Sequence, residues 1–68
     1  MLDKNYVLSW EDVEHDLYEE DDKIFGVELD LFNGHKFYYC KTIEDGIEHY
    51  QYLKGDIYKA IDLFNALL

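Results

Sequence analysis

The chain has 68 residues, of which sixteen are acidic and six are lysines, and its net charge at pH 7 is −10. So short a chain builds one small core, so we predict a single acidic α+β domain over residues 1–68, with no deep pocket and no enzymatic activity. The negative field repels nucleic acid and anionic lipid, which excludes both as partners, and attracts basic proteins. Apolar residues make up 49% of the chain, enough for it to fold despite this charge.

The N-terminus and the cysteine content indicate the compartment. Residues 1–10 have neither the basic start nor the apolar run of a signal peptide. Cys40 is the single cysteine, which rules out an internal disulfide. No run approaches the roughly 18 apolar residues of a membrane span. We therefore expect a cytoplasmic protein.

The first predicted helix carries the densest run of acidic residues. Residues 5–8, of which the last three are apolar, predict a short strand or an apolar lead-in. Ser9 is a favourable N-cap, and apolar residues then recur at helical spacing, which predicts a helix from Trp10 to about Glu20. Its apolar stripe would be Trp10, Val13 and Leu17, and its free face would carry Asp12, Asp16 and Glu20, one turn apart and without a lysine among them.

A β-hairpin is predicted in the middle of the chain. Apolar and polar residues alternate from Lys23 to Leu31, which is typical of a half-buried strand. Asn33-Gly34 is a strong hairpin signal, and His35 to Thr42 would be the returning strand.

Two registers of this hairpin are compatible with the turn. A two-residue Asn-Gly loop would pair Leu29 with Tyr38 and mix polar with apolar residues on both faces. A three-residue loop would pair Leu29 with Phe37 and separate the two faces, so we prefer it. In that register Tyr38 and Cys40 lie on the polar face, beside Glu28 and Asp30.

Two further helices are predicted after the hairpin. Thr42 would cap the first, and Gly55 would end it. Asp56 would cap the second. Their apolar stripes would be Ile43, Ile47, Tyr50 and Leu53 in the first helix, and Ile57, Ala60, Ile61, Phe64 and Leu68 in the second. The predicted order is therefore roughly (β)αββαα, an antiparallel hairpin or three-stranded sheet packed with two to three helices.

No catalytic, cofactor or metal site is predicted. The three histidines and Cys40 lack the spacing of a zinc site. Ser9 and Thr42 are better explained as helix caps than as nucleophiles. Cys40 lies in a predicted strand without a recognisable base, so we interpret it as a small packing residue.

Two surface features instead predict protein binding. Carboxylates one helical turn apart stand about 6 Å apart, a spacing that can imitate backbone phosphates. Seven tyrosines exceed what so small a core can hold, and tyrosine beside carboxylate is typical of a protein-binding patch. The alternatives are a merely solvated acidic helix and tyrosines packed with their hydroxyls in water. The partner-binding residues predicted on these grounds are Glu11, Asp12, Asp16, Glu19, Glu20, Glu28, Asp30 and Tyr38.

The second half of the chain resembles a known family in its layout. From Asn33 to Leu68, an Asn-Gly turn leads into a tyrosine-rich strand, an acidic apolar segment and a glycine-punctuated amphipathic helix. This order resembles the very small acidic inhibitors of uracil-DNA glycosylase carried by some Bacillus phages. The resemblance implies a DNA mimic, usually a dimer, that faces the DNA-binding groove with acidic residues and captures the enzyme's leucine loop in an apolar pocket.

The resemblance also implies roles for individual residues. Ile47 and Glu48 match the apolar and acidic pair of the family's helix, and we add both to the predicted partner-binding residues. Tyr38 and Tyr39 match its strand tyrosines.

The predicted function is therefore a DNA-mimic inhibitor from a phage or mobile element. It would block the DNA-binding site of a DNA-handling enzyme in the host cytoplasm, with uracil-DNA glycosylase as the favoured target and a homodimer as one option. An anti-CRISPR or anti-restriction inhibitor is an alternative. An immunity- or antitoxin-like protein that covers a basic nuclease is another, and a regulatory domain whose acidity has no binding role is a third.

Overall fold

A computed structural model describes residues 1–5 and 15–68 and shows a four-stranded antiparallel sheet followed by one helix. The elements are β1 (His15–Glu20), β2 (Lys23–Asp30), β3 (His35–Glu44), β4 (Ile47–Leu53) and α1 (Ile57–Leu67). The strands lie side by side in chain order, so the sheet is a meander. The predicted (β)αββαα order with two to three helices is therefore wrong.

The second half of the predicted acidic helix is a strand. β1 pairs with β2 from His15↔Val27 to Glu20↔Lys23. Asp21 and Asp22 connect the two strands with φ angles of 52° and 63°. Acidic residues at this point oppose a helix, whose C-terminal dipole disfavours negative charge, whereas aspartate tolerates the left-handed conformation of a tight turn. Trp10 to Glu14 and residues 6–8 of the predicted lead-in lie outside the described residues, and Asn5 has helical backbone.

The helix predicted after Thr42 is also replaced by strands. β3 continues to Glu44, Asp45-Gly46 forms a two-residue turn, and β4 returns along β3. The φ angles of 52° and 78° at the two turn residues define a type I′ hairpin, for which Asp-Gly is a favoured sequence. The helical spacing of Ile43, Ile47 and Tyr50 is thus a by-product of two strands joined by a short turn.

The predicted hairpin of β2 and β3 is confirmed, but both predicted registers are wrong. The loop has four residues, 31–34, and the pairs are Val27↔Tyr38 and Phe25↔Cys40. Tyr38 and Cys40 therefore lie on the core face rather than the polar face, and the Tyr38 ring stacks on that of Phe25 at 6.0 Å. This register keeps the core face apolar, which is what specifies strand pairing.

The core lies between one face of the sheet and α1. Asp56 caps α1 as predicted, because its carboxylate accepts a hydrogen bond from the Lys59 amide at 2.9 Å. Phe64 contacts the ring of Phe25 at 5.5 Å and that of Tyr18 at 6.1 Å. The predicted stripe of α1 is confirmed, since Ile57, Ala60, Ile61 and Phe64 are buried and Leu68 packs against the cluster. The remaining core residues are Leu2, Val27, Tyr38, Cys40 and Leu53.

Candidate protein-binding face

The face of the sheet opposite α1 carries a network of carboxylates, tyrosines and one lysine, and we call it the open face. Cross-strand pairing and strand alternation place its members. They are Asp16 and Glu19 from β1, Ile24, Gly26, Glu28 and Asp30 from β2, His35, Phe37, Tyr39, Lys41 and Ile43 from β3, and Glu48, Tyr50 and Tyr52 from β4.

A single row of residues crosses the centre of the open face. Asp16 pairs with Gly26, Gly26 with Tyr39, and Tyr39 with Tyr52. The Tyr39 ring lies over Gly26 so closely that a Cβ there would collide with it. The Tyr39 hydroxyl thereby reaches β1 and donates a hydrogen bond to Asp16 Oδ1 at 2.7 Å. Glycine at position 26 is thus what allows a tyrosine to bridge three strands.

Lys41 is the one lysine on the open face among the described strand residues, and it is buried. Its Nζ lies 2.6 Å from Asp16 Oδ2 and 4.0 Å from Glu48 Oε1. It also lies 5.9 Å from the centre of the Tyr50 ring. The positive charge of Lys41 is therefore neutralised within the protein, and the described strands add no accessible lysine to the open face. Lys54, exposed just after β4, lies at its margin, where it lines a hollow with Glu28 and Tyr52.

The pKa values in this network reflect the mutual bonding. Burial would raise the pKa of Asp16, but the hydrogen bonds from Lys41 and Tyr39 outweigh it and lower that pKa. The bond to Asp16 raises the pKa of the Lys41 ammonium. Burial, followed by the bond to Asp16, raises the pKa of Tyr39. Asp16 and Lys41 thus stay charged, and Tyr39 stays protonated, throughout the neutral range.

Exposed tyrosines alternate with carboxylates along β4. The Tyr50 hydroxyl donates to Glu48 Oε2 at 2.8 Å, and the Tyr52 hydroxyl lies 3.4 Å from Glu28 Oε2. Both rings are about half exposed. They border a hollow of about 470 Å³ that is also lined by Glu28 and Tyr39. Aromatic rings with a polar tip next to acceptors are the side chains that protein interfaces favour.

The acidic turns lie together at one end of the sheet. In a meander the turn after β1 and the turn after β3 fall on the same side, and the pair Lys23↔Thr42 shows this directly. We call this region the acidic end, and its carboxylates are Glu19, Glu20, Asp21, Asp22, Glu44 and Asp45.

The structure disperses the residues predicted to bind a partner. Asp16, Glu19, Glu28 and Glu48 share the open face. Glu20 lies on the α1 side, where it accepts hydrogen bonds from the Met1 amino group at 2.7 Å and from the Tyr18 hydroxyl. Asp30 holds the β2–β3 loop, Tyr38 is buried in the core, and Ile47 is exposed at the start of β4. Glu11 and Asp12 lie outside the described residues.

Sequence reasoning missed Lys41 and Tyr50 as members of this face, and indicated Tyr52 only as a tyrosine outside the predicted apolar stripes. The signal was the alternation of Glu48, Tyr50 and Tyr52 after an Asp-Gly turn, which is a strand pattern. Ile47 and Glu48 were matched to a helical pair by resemblance, whereas they lie on β4.

No family model, curated protein or solved structure matches the chain. In residues 1–5 and 15–68, no three His, Cys, Asp or Glu side chains are placed to hold a metal ion. Across the same residues no helix has the length and apolar character required to cross a bilayer.

Proposed function

We propose that this chain is an acidic inhibitor, encoded by a phage or mobile element, that binds the basic DNA-binding surface of a DNA-handling enzyme in the host cytoplasm. The open face and the acidic end form the binding surface, and uracil-DNA glycosylase is the first target to test. One observation carries the proposal: Lys41, the lysine of the open face, is buried against Asp16, while Glu19, Glu28 and Glu48 are exposed.

An excess of negative charge on one face favours a basic partner for a physical reason. Ordinary solvated surfaces mix both signs of charge, whereas a single-sign surface steers an oppositely charged protein and speeds its association. The carboxylates lie on neighbouring strands rather than along a helix, so the proposal depends on this charge distribution and not on helical spacing. Tyr50 and Tyr52 supply the aromatic contact area that would hold the partner once it arrives.

The first experiment is a uracil-excision assay with a glycosylase from a low-GC Gram-positive bacterium. We expect excess protein to block excision, DNA without uracil to compete with the protein for the enzyme, and added salt to weaken the complex. The same competition would be run on Cas9 and on a type I restriction enzyme. Full excision at excess protein removes the glycosylase as the target, and binding that DNA cannot compete favours the immunity-like alternative.

A pair of matched variants tests the open face itself. Glu28→Gln/Glu48→Gln removes two negative charges from this face, and Asp3→Asn/Asp62→Asn removes two from residues outside the sheet. We expect the first pair to slow association by about tenfold at low salt, because steering depends on local charge. The second pair should have a much smaller effect, and equal effects of the two pairs would rule out the open face as the contact surface.

A further inference from the structure

The end of the sheet opposite the acidic end carries an apolar loop. In the loop between β2 and β3, Leu31 is 86% exposed and Phe32 is 98% exposed. We call these two residues the apolar tip. Phe37, an outward-facing apolar residue of β3 close to this loop, is 45% exposed. Large apolar side chains displayed together at a protruding point mark an interaction site more often than scattered surface residues do.

The backbone of the tip is held in place by Asp30. Its carboxylate accepts hydrogen bonds from the Phe32 amide at 2.9 Å and from Asn33 Nδ2 at 2.8 Å. The Gly34 amide donates to the Asp30 carbonyl at 2.8 Å, and Gly34 has a φ of 68° that suits glycine. The hydrogen bonds to the carboxylate, chiefly that from the Phe32 amide and then that from the Asn33 side chain, hold the pKa of Asp30 below its usual value. The loop is thus organised before any partner binds, which lowers the entropy cost of using it as a contact.

The apolar tip lies outside the core. A hollow of about 590 Å³ lies beside it, lined by both tip residues together with Phe37, Tyr52 and Lys54. Leu31 and Phe32 are absent from the core cluster and from the residues that pack against it. The side chains of Leu31 and Phe32 therefore contribute little to folding, and we look to binding for the reason that they are exposed.

We propose that the apolar tip anchors this protein to its target by entering an apolar recess on the target's basic surface. This inference rests on the proposed function and adds a second feature to the partner, an apolar recess bordered by lysine or arginine. The charge of the chain is the reason for proposing a basic partner. A net charge of −10 opposes docking of a second copy or of anionic lipid. Beside the tip, two carboxylates, Glu28 and Asp30, outnumber the one cation, Lys54, and complement a basic border.

The two parts of the surface would act on different rate constants. Exposed carboxylates steer the encounter, so their removal lowers the association rate in a salt-dependent manner. A buried aromatic anchor sets how long the complex lasts, so its removal raises the dissociation rate, and most affinity changes within one interface arise there. The anchor's effect should be nearly independent of salt, because it is not a charge interaction.

The test compares Leu31→Ala/Phe32→Ala with the control Tyr58→Ala/Leu63→Ala, which truncates two exposed apolar residues of α1. Binding of the full chain to immobilised uracil-DNA glycosylase, Cas9 and a type I restriction enzyme is measured at about 0.05 M and about 0.3 M NaCl. We expect the tip variant to dissociate about 100-fold faster at both salt concentrations. The control should dissociate at the wild-type rate, and circular dichroism should show both variants folded.

Two variants at Asp30 test whether the anchor depends on the conformation of the loop. Asp30→Ala removes the acceptor of the Phe32 amide and should weaken binding about tenfold, while Asp30→Asn keeps an acceptor and should restore most of it. A target that binds wild type and tip variant equally overturns the anchor alone. A wild-type protein that binds none of the three enzymes overturns the proposed function and the anchor with it.

Discussion

At the scale of single residues, Gly26 and Tyr39 form the tightest contact of the open face. A Cβ at position 26 would occupy the space of the Tyr39 ring. We expect Gly26→Ala to lower the free energy of unfolding by about 1–3 kcal/mol, because a packed ring must move to admit the methyl group. Urea denaturation measures this. In a Tyr39→Ala background the same substitution should cost little, and an unchanged cost there would contradict the steric explanation.

Asp16 makes the stability depend on acid pH. Its pKa is lowered from 3.8 in the folded protein by the hydrogen bonds from Lys41 and Tyr39. A depressed pKa stabilises the fold above the unfolded value, and this stability is lost as the pH falls through the folded value. We expect Asp16→Asn to reduce the decline of unfolding free energy below about pH 4. Lys41→Met should reduce it similarly, and a wild-type slope in both variants would exclude Asp16 as its source.

At the scale of elements, the two tight turns have the same geometry but different sequences. Asp21 and Asp22 both have positive φ, as do Asp45 and Gly46. Asn-Gly suits this type I′ geometry better than two aspartates, which also repel each other. We expect Asp21→Asn/Asp22→Gly to raise the unfolding free energy by about 1 kcal/mol, read from thermal unfolding. Asp45→Asn, at a turn that already has glycine, should change it far less.

The sequence allowed β2, β3 and α1 to be predicted because each has one clear local signal. Alternation marks Lys23–Asp30, and Asp56 with its apolar stripe marks α1. The helix predictions over residues 15–20 and 47–53 are wrong because apolar residues that recur three or four apart also arise in two strands joined by a short turn, here Asp45-Gly46. Pairing with neighbouring strands determines that both segments are strands, because strand propensity depends on neighbours.

The candidate site was only partly accessible to prediction for a related reason. Which face a strand residue occupies depends on register, and a one-residue slip reverses it. The four-residue loop held by Asp30 set a register that neither predicted turn allowed, which moved Tyr38 into the core. Glu28 and Glu48 were predicted as carboxylates that bind a partner, but their sharing of a face with Lys41 required the strand order.

At the scale of the whole molecule, the meander separates two kinds of surface. The acidic end collects six carboxylates in and beside two turns, while the apolar tip lies on the β2–β3 loop at the other end. The two ends of the sheet therefore differ in character, since one end is acidic and the other carries exposed apolar side chains. A partner that contacts both the acidic end and the apolar tip must span the length of the sheet. Such a partner can bind in one orientation only.

Strand β4 gives the charge a further consequence, for solubility. In the described part of the chain β4 pairs with β3 alone, and its seven residues include no proline, lysine or bulge, the usual protections of a sheet margin. Mutual repulsion between molecules is then the main barrier to intermolecular strand addition. At about pH 4, where carboxylates protonate, we expect the protein to form fibrils whose X-ray diffraction shows an inter-strand spacing of about 4.7 Å. At neutral pH we expect no fibrils. The net negative charge thus limits aggregation through the free edge of β4.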